Sequence, residues 1–355
     1  MIREYCNNHI CSTKHSSQLT LSFTRKAISI VTFSRLVAIV SFIMIISHSI
    51  SNDNVNAFTL PSQSKNIDTK PKVWSNYKET LMAAGLMEVQ KQRPISIKGI
   101  NIGNSAESAM RQDKSGQNGN PNNEIVTKII HFQRHGQGYH NLLGDVIRAT
   151  GRDIDIDDPN PDTNPFVKDE IQDSPLTFQG REEAKARRIQ ASMLSPELII
   201  ASPLQRALQT AVLSFADHIH PNTSRPIPFI AHEGCREQLG FLTCNKALPL
   251  SQTKADFPQV DFSFVSHDDD DPLWNKYKTR EQPLDEANRA YEFLTKFVMS
   301  REETEIAIVC HSAWLFSVCN AVIDCGGDDS LESWFGTGEI RSLRVTFQPN
   351  NDVKK

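Results

Sequence analysis

Three short apolar runs restrict the folds open to this chain more than any other feature. They are residues 125–132 (IVTKIIHF), 197–201 (ELIIA) and 305–310 (EIAIVC), and each reads as a buried β-strand. Helical patterns alternate with them. Residues 177–194 form one. Leu204, Ala207, Leu208, Ala211, Val212 and Phe215 recur at the spacing of a helix lying on a sheet, and residues 284–298 repeat that pattern. Such alternation predicts an α/β fold: a three-layer sandwich whose mainly parallel central sheet is covered on both faces. Ligands of such sheets bind beyond the carboxyl ends of the strands, and both His135 and His311 fall there.

The N-terminal part obeys other rules. Residues 27–47 (AISIVTFSRLVAIVSFIMIIS) are apolar apart from Arg35 and polar hydroxyls, and they follow Arg25 and Lys26. Two readings remain: a membrane anchor, which needs about 20 apolar residues, or a cleaved signal with a shorter apolar centre. The uninterrupted part, 36–46, is short, and Val55-Asn56-Ala57 offers a small-residue cleavage site before Phe58. The next residues, FTLPSQSKNIDTKPK, have the Ser-, Thr- and Lys-rich composition of a transit peptide. An Ala-Phe junction ahead of such a stretch resembles the bipartite presequence of algae with complex plastids, which implies entry into the secretory pathway and a plastid destination. Residues 101–123 offer almost nothing to bury and read as a linker. The expected organisation is a targeting signal or anchor at 1–57, a transit-like segment and linker at 58–122, a catalytic domain at 123–348 and a tail at 349–355.

A formal charge of −4 speaks against a broad basic surface and hence against nucleic acid as partner. Five cysteines lie beyond the leader: Cys235, Cys244, Cys310, Cys319 and Cys325. They lack metal-ligand spacing and read as buried thiols, with a Cys235–Cys244 bridge left open. The acidic run 268–271 reads as a solvated loop, because the ligand spacing of a calcium loop is absent. Lys246 and Lys254 read as surface lysines, with a place at a substrate mouth as the alternative.

The chemistry concentrates in five blocks. HFQRHGQGYHN follows the first strand, then come SPLTFQGREEA, IASPLQRALQTA, GCREQLG and AIVCHSAWL. In this order they resemble the histidine phosphatase superfamily, phosphoglycerate mutase-like, and most of all its plant-type members, echoed again in CREQLGFLTCNK and PQVDFS. The resemblance implies that His135 becomes transiently phosphorylated, that Arg134, Asn141, Arg206 and His311 bind the phosphoryl group, and that Glu237 is the acid. It implies no metal and no cofactor. Its partner would be a small phosphorylated substrate.

Physical chemistry gives each residue a reason. A phosphomonoester dianion demands positioning and charge neutralisation, and a planar guanidinium grips two oxygens at once. His135 must be neutral to attack phosphorus, with its second ring nitrogen tied to a backbone carbonyl. His311 would stay protonated against the phosphate. The leaving alkoxide needs a proton from a carboxylic acid. Glu237 matches the motif, but its spacing to Gly240 is one residue shorter than usual, so Glu233 remains the alternative. Asn141 could instead cap the helix that begins near Leu142. The chain has Gly138 where mutases and many phosphatases carry Ser or Thr, and only Lys246 remains of the basic residues that follow the second cysteine. The expected activity is phosphatase, through phospho-His135. Mutase-type transfer is the alternative, as is a non-catalytic scaffold that keeps the fold, with membrane association through the N-terminal segment.

Overall fold

The computed structural model describes residues 86–103, 125–219, 226–266, 268, 270–276, 279–351 and 353. The expected leader, cleavage site and transit-like segment lie outside these residues, as does most of the expected linker. Among the described residues, no helix is long and apolar enough to cross a membrane.

Seven strands form one sheet: β1 (Ile95–Asn101), β2 (Val126–Arg134), β3 (Leu198–Ala201), β4 (Phe229–His232), β5 (Asp261–Phe264), β6 (Glu305–Cys310) and β7 (Ile340–Pro349). Their order is β1-β7-β2-β6-β3-β4-β5. The stretch from β2 to β5 is parallel throughout, while β7 and β1 are antiparallel additions at one side. Strands β3 and β6 are buried at every position, as parallel strands covered on both faces must be. Strand β7 alternates buried and partly exposed residues.

Alternate residues of each strand face opposite ways and build two cores. Ile130, Phe132, Ile200 and Ile308 join Ala287, Leu294 and Trp314 on one face. Ile199, Ala201, Ala307 and Val309 join Leu208, Ala211 and Phe215 on the other. The helices include α1 (Leu86–Gln92), α2 (Tyr139–Ala149), α3 (Phe178–Ala186), α4 (Gln205–Ser214), α5 (Pro283–Glu292) and α6 (Ser312–Ser317), and the core partners come from α4, α5, α6 and the turns just after α4 and α5. The three-layer α/β expectation therefore matches the observed architecture.

Two expectations need correction. The sheet does not start at Ile125: β1 pairs with β7 from Ile95↔Pro349 to Asn101↔Leu343, inside the stretch read as transit-like segment and linker. Only Ile97 and Gly99 of this edge strand are buried, so its apolar signal is two residues deep. The helix expected at 177–194 is broken at Arg187 into α3 and a short helix, Arg188–Ser192.

The loop after β2 is clamped by α3. A Cβ on Gly136 would meet the Gly180 carbonyl oxygen at 2.3 Å, and one on Gly180 would meet the Gln137 carbonyl oxygen at 2.1 Å. The Gln137 N–H donates to Glu183 Oε2 at 2.8 Å, and the Thr177 N–H donates to the Gln137 carbonyl at 2.9 Å. Thr177 Oγ1 meanwhile caps α3 by accepting from the Gly180 N–H at 3.0 Å. Replacing Gly180 with Ala is expected to push backbone against backbone and lower stability by about 1–3 kcal/mol, the usual range for overpacking. The urea midpoint measures it, and an unchanged midpoint would show that the loop yields without strain.

Candidate active site

Four parallel strands each deliver site residues from their carboxyl ends. Strand β2 ends in Arg134 and is followed by His135; β6 ends in Cys310 and is followed by His311. Because Arg134 and Cys310 are register partners, the two histidines leave adjacent strand ends. Their ring centroids lie 5.1 Å apart. Strand β3 leads into α4, whose second residue is Arg206, and β4 leads into the segment bearing Glu233 and Glu237.

His135 is 1% exposed. Its Nδ1 lies 2.6 Å from the Gly136 carbonyl oxygen. A carbonyl can only accept, so Nδ1 carries the proton and Nε2 keeps its lone pair. Burial, then the positive charges of Arg206 and Arg134, hold His135 well below the usual imidazole range, so the ring is neutral near neutral pH.

The two guanidiniums are held by neutral oxygens. Arg206 is fully buried and donates to the Cys244 carbonyl and to Asn245 Oδ1, both at 2.8 Å. Arg134 donates to the Phe335 carbonyl at 2.7 Å. The Nε of each is buried without a partner. The α4 start that presents Arg206 is capped by Asp173, which accepts from the Gln205 N–H at 2.9 Å. Burial raises the Asp173 carboxyl to about 6 against the opposing pull of Arg206. Asp173 also sits at φ 42°, outside the usual region for its type.

His311 is fully buried, and neither ring nitrogen has a partner. Burial, then Arg206 and the neighbouring imidazoles, hold it well below the ordinary range. Without a bound anion it is thus neutral, and the protonated form expected for it belongs to the phosphate-bound state.

Glu237 lies at the start of α6. Its carboxylate accepts from the Trp314 N–H at 3.3 Å, the Ser312 hydroxyl at 3.4 Å and the Ala313 N–H at 3.5 Å, immediately after His311. It also acts electrostatically on both Arg134 and Arg206. Glu233 is buried, 3.9 Å from Arg236, and acts instead on His232, Cys235 and Arg236. Asn141 is the third residue of α2, and its Oδ1 accepts from the Gly138 N–H at 2.9 Å. It therefore braces the helix start from within the first turn.

Sequence reasoning overlooked three features. His140 stands with its ring centroid 5.6 Å from that of His135. Asn245 orients Arg206, and Asp173 caps its helix. The acidic run is not wholly solvated: Asp271 is 1% exposed and pairs in bidentate fashion with Arg236 at 2.6 and 2.9 Å. Lys246 lies 4.5 Å above the Trp274 ring, and Lys254 is exposed beside β5. All five cysteines are buried and free, Cys235 and Cys244 included, and burial raises the Cys244 thiol to about 11. Among the described residues, no group of three or more His, Cys, Asp or Glu is arranged to hold a metal ion.

The family model of the histidine phosphatase superfamily (branch 1) matches residues 168–348, a span that includes Arg206, Glu237 and His311. A phosphoglycerate mutase-like protein of Arabidopsis thaliana is 31% identical over 251 residues, covering 63% of this chain and 86% of that one. Phosphoglycerate mutase-like protein 1 of the same plant is 31% identical over 246 residues, covering 61% and 81%. A probable phosphatase of Schizosaccharomyces pombe is 25% identical over 189 residues, covering 52% and 74%. With histidines and arginines gathered at the carboxyl ends of its parallel strands and a family match over half its length, the chain belongs to the histidine phosphatase superfamily.

Proposed function

We propose that this phosphoryl-transfer enzyme is a phosphatase that hydrolyses a small phosphomonoester through a phosphohistidine on His135. One observation carries the reading: a neutral imidazole with its Nε2 lone pair available stands beside a fully buried guanidinium, Arg206, and a partly buried one, Arg134, neither with a carboxylate within ion-pair distance among the described residues. A dianion is what that arrangement lacks.

The steps follow from these groups. Nε2 of His135 attacks phosphorus, the ester P–O bond breaks, and the leaving oxygen takes a proton from Glu237. Arg134, Arg206, Asn141 and His311 hold the equatorial oxygens. Water then gives a proton to Glu237 and attacks phosphorus; the P–N bond breaks, and phosphate and neutral His135 return. Water is taken as the acceptor in this reading, since mutase-type transfer would further require the first product to be held and reoriented. The Glu237 assignment rests on its hydrogen bonds beside His311 and its action on both arginines. We further propose that residues 1–57 direct the chain into the secretory pathway, a reading supported by their charge and apolar pattern.

His135→Ala is expected to abolish turnover and to remove an acid-labile, base-stable label that a labelled substrate leaves on the wild type. Label on serine or cysteine would overturn the mechanism.

Glu237→Gln should slow alkyl phosphates by about 10²–10⁴-fold, the range for loss of general-acid catalysis, and spare aryl phosphates with good leaving groups. If Glu233→Gln alone shows that dependence, the acid role moves to Glu233.

The buried histidines also predict a pH dependence of stability. His135, His140 and His311 lie well below the ordinary range in the folded chain and titrate near about 6.5 when unfolded. Below that value the unfolded chain binds more protons, so stability falls with pH, by up to about 1.4 kcal/mol per pH unit for each histidine. Urea midpoints between pH 7 and 5 should show this, with a shallower slope for His311→Gln and in the presence of inorganic phosphate. A slope that phosphate leaves unchanged would mean that the anion binds away from these rings.

A further inference from the structure

His140 lies at the second position of α2, and the proposed mechanism gives it no role. Its ring centroid is 5.6 Å from that of His135, close to the 5.1 Å that separates His135 from His311. Two imidazoles thus lie at similar range from the nucleophile. Nδ1 of His140 is buried and has no hydrogen-bond partner, the condition also found at both nitrogens of His311. A buried imidazole nitrogen without a partner is an uncommon state, relieved when a ligand supplies the missing group.

The backbone leaves room for this ring. A Cβ on Gly138 would come within 2.7 Å of both Nδ1 and Cε1 of His140, and within 3.5 Å of Cδ of Arg206. His140 and the Arg206 stem therefore border the same space, and a side chain at 138 would compete with the imidazole for it. The groups that bear on His140 are positive or neutral: Arg206 from α4, and His135 and Arg134 from the end of β2. His140 in turn bears on His311. No acidic residue stands in the first turn of α2, whose N-terminal end favours negative charge.

We infer that His140 is a phosphate-binding residue, donating a hydrogen bond to a non-bridging oxygen of the substrate's phosphoryl group. The inference rests on the reading of His135 as the phosphorylated residue. Glycine at 138 is then the condition for an imidazole donor, and the hydroxyl absent from 138 has its counterpart in a ring from 140. Burial keeps the empty-pocket ring neutral, so it adds no charge to the arginines until an anion arrives.

The test uses the full chain with inorganic phosphate as competitive inhibitor and a phosphomonoester that the wild type hydrolyses. His140→Ala should raise the phosphate Ki and the substrate KM together by about 10–100-fold, as loss of a hydrogen bond to a charged group does. His140→Gln, which keeps a donor at similar reach, should recover most of that loss. Gly138→Ser alone should displace the ring and weaken phosphate binding, whereas Gly138→Ser with His140→Ala should bind phosphate more tightly than His140→Ala alone. Labelling of His135 reports separately on the mechanism. Wild-type Ki and KM in His140→Ala, with His135 still labelled, would overturn the role of His140 and leave the phosphohistidine intact. Full turnover by His135→Ala would overturn the phosphohistidine itself. Equal losses in His140→Ala and His140→Gln, with no gain from the double variant, would reduce His140 to a packing residue.

Discussion

Two guanidiniums, Arg206 fully buried and Arg134 partly so, without an ion-pair partner among the described residues set the terms for everything around them. Removing a guanidinium from water is expensive, and a protein ordinarily offsets that with a carboxylate. Arg236 shows the ordinary solution: it is fully buried and gripped by both oxygens of Asp271. Arg206 and Arg134 are held by carbonyl and amide oxygens instead, which fix their direction without neutralising them. Glu237 and Asp173 lie close enough to be felt by Arg206, yet neither takes the ion-pair position. The charge remains available for a ligand. At an effective dielectric of 20, a unit anion about 4 Å from one guanidinium gains about 4 kcal/mol before desolvation is counted.

The same charges explain the histidines. Burial first, and then the cations beside it, disfavour protonation of the His135 imidazole, and in the proposed mechanism this keeps the nucleophile in its reactive form without help from a base. The tautomer is settled separately, by the Gly136 carbonyl. These effects need the pieces to be adjacent, and the parallel register of β2 and β6 makes them so. Close packing of Gly136 against Gly180 then fixes the path of the loop, so the orientation of the His135 ring is backed by backbone contacts rather than by a flexible side chain.

How much of this could be read in the chain depends on where each signal resides. The buried parallel strands were legible, because burial on both faces demands unbroken apolar runs: EIAIVC coincides with β6, and ELIIA covers β3. Strand β1 was not, since an edge strand with two buried residues carries little apolar pattern and its partner β7 is more than 200 residues away. The motif residues of the pocket were legible through their family likeness and through their places at strand ends. Their supports were not. Asn245 and Asp173 are ordinary polar residues in sequence, and only folding brings them to Arg206 and its helix. Asp271 looked like one of four solvated aspartates because charge runs usually are solvated, and its pairing with Arg236 across 35 positions leaves no local trace. His140 was visible all along in HGQGYHN, five residues after His135, but its position became informative only once α2 was known to begin at Tyr139.

A pocket of neutral imidazoles and uncompensated guanidiniums responds to the charge of its ligand rather than to its size. Before binding, burial and then the arginines suppress protonation of His135, His140 and His311, so these rings add no charge to the empty site. In the proposed mechanism a dianionic monoester offsets the charge of both guanidiniums and makes imidazolium more favourable at His311, which adds a charge-assisted hydrogen bond as the anion settles. A phosphodiester, with a single charge and one fewer free oxygen, balances only one guanidinium and gives the histidines less reason to take up a proton. Discrimination in favour of terminal phosphate thus arises from the same desolvated arginines that activate the nucleophile, without any group dedicated to excluding the diester.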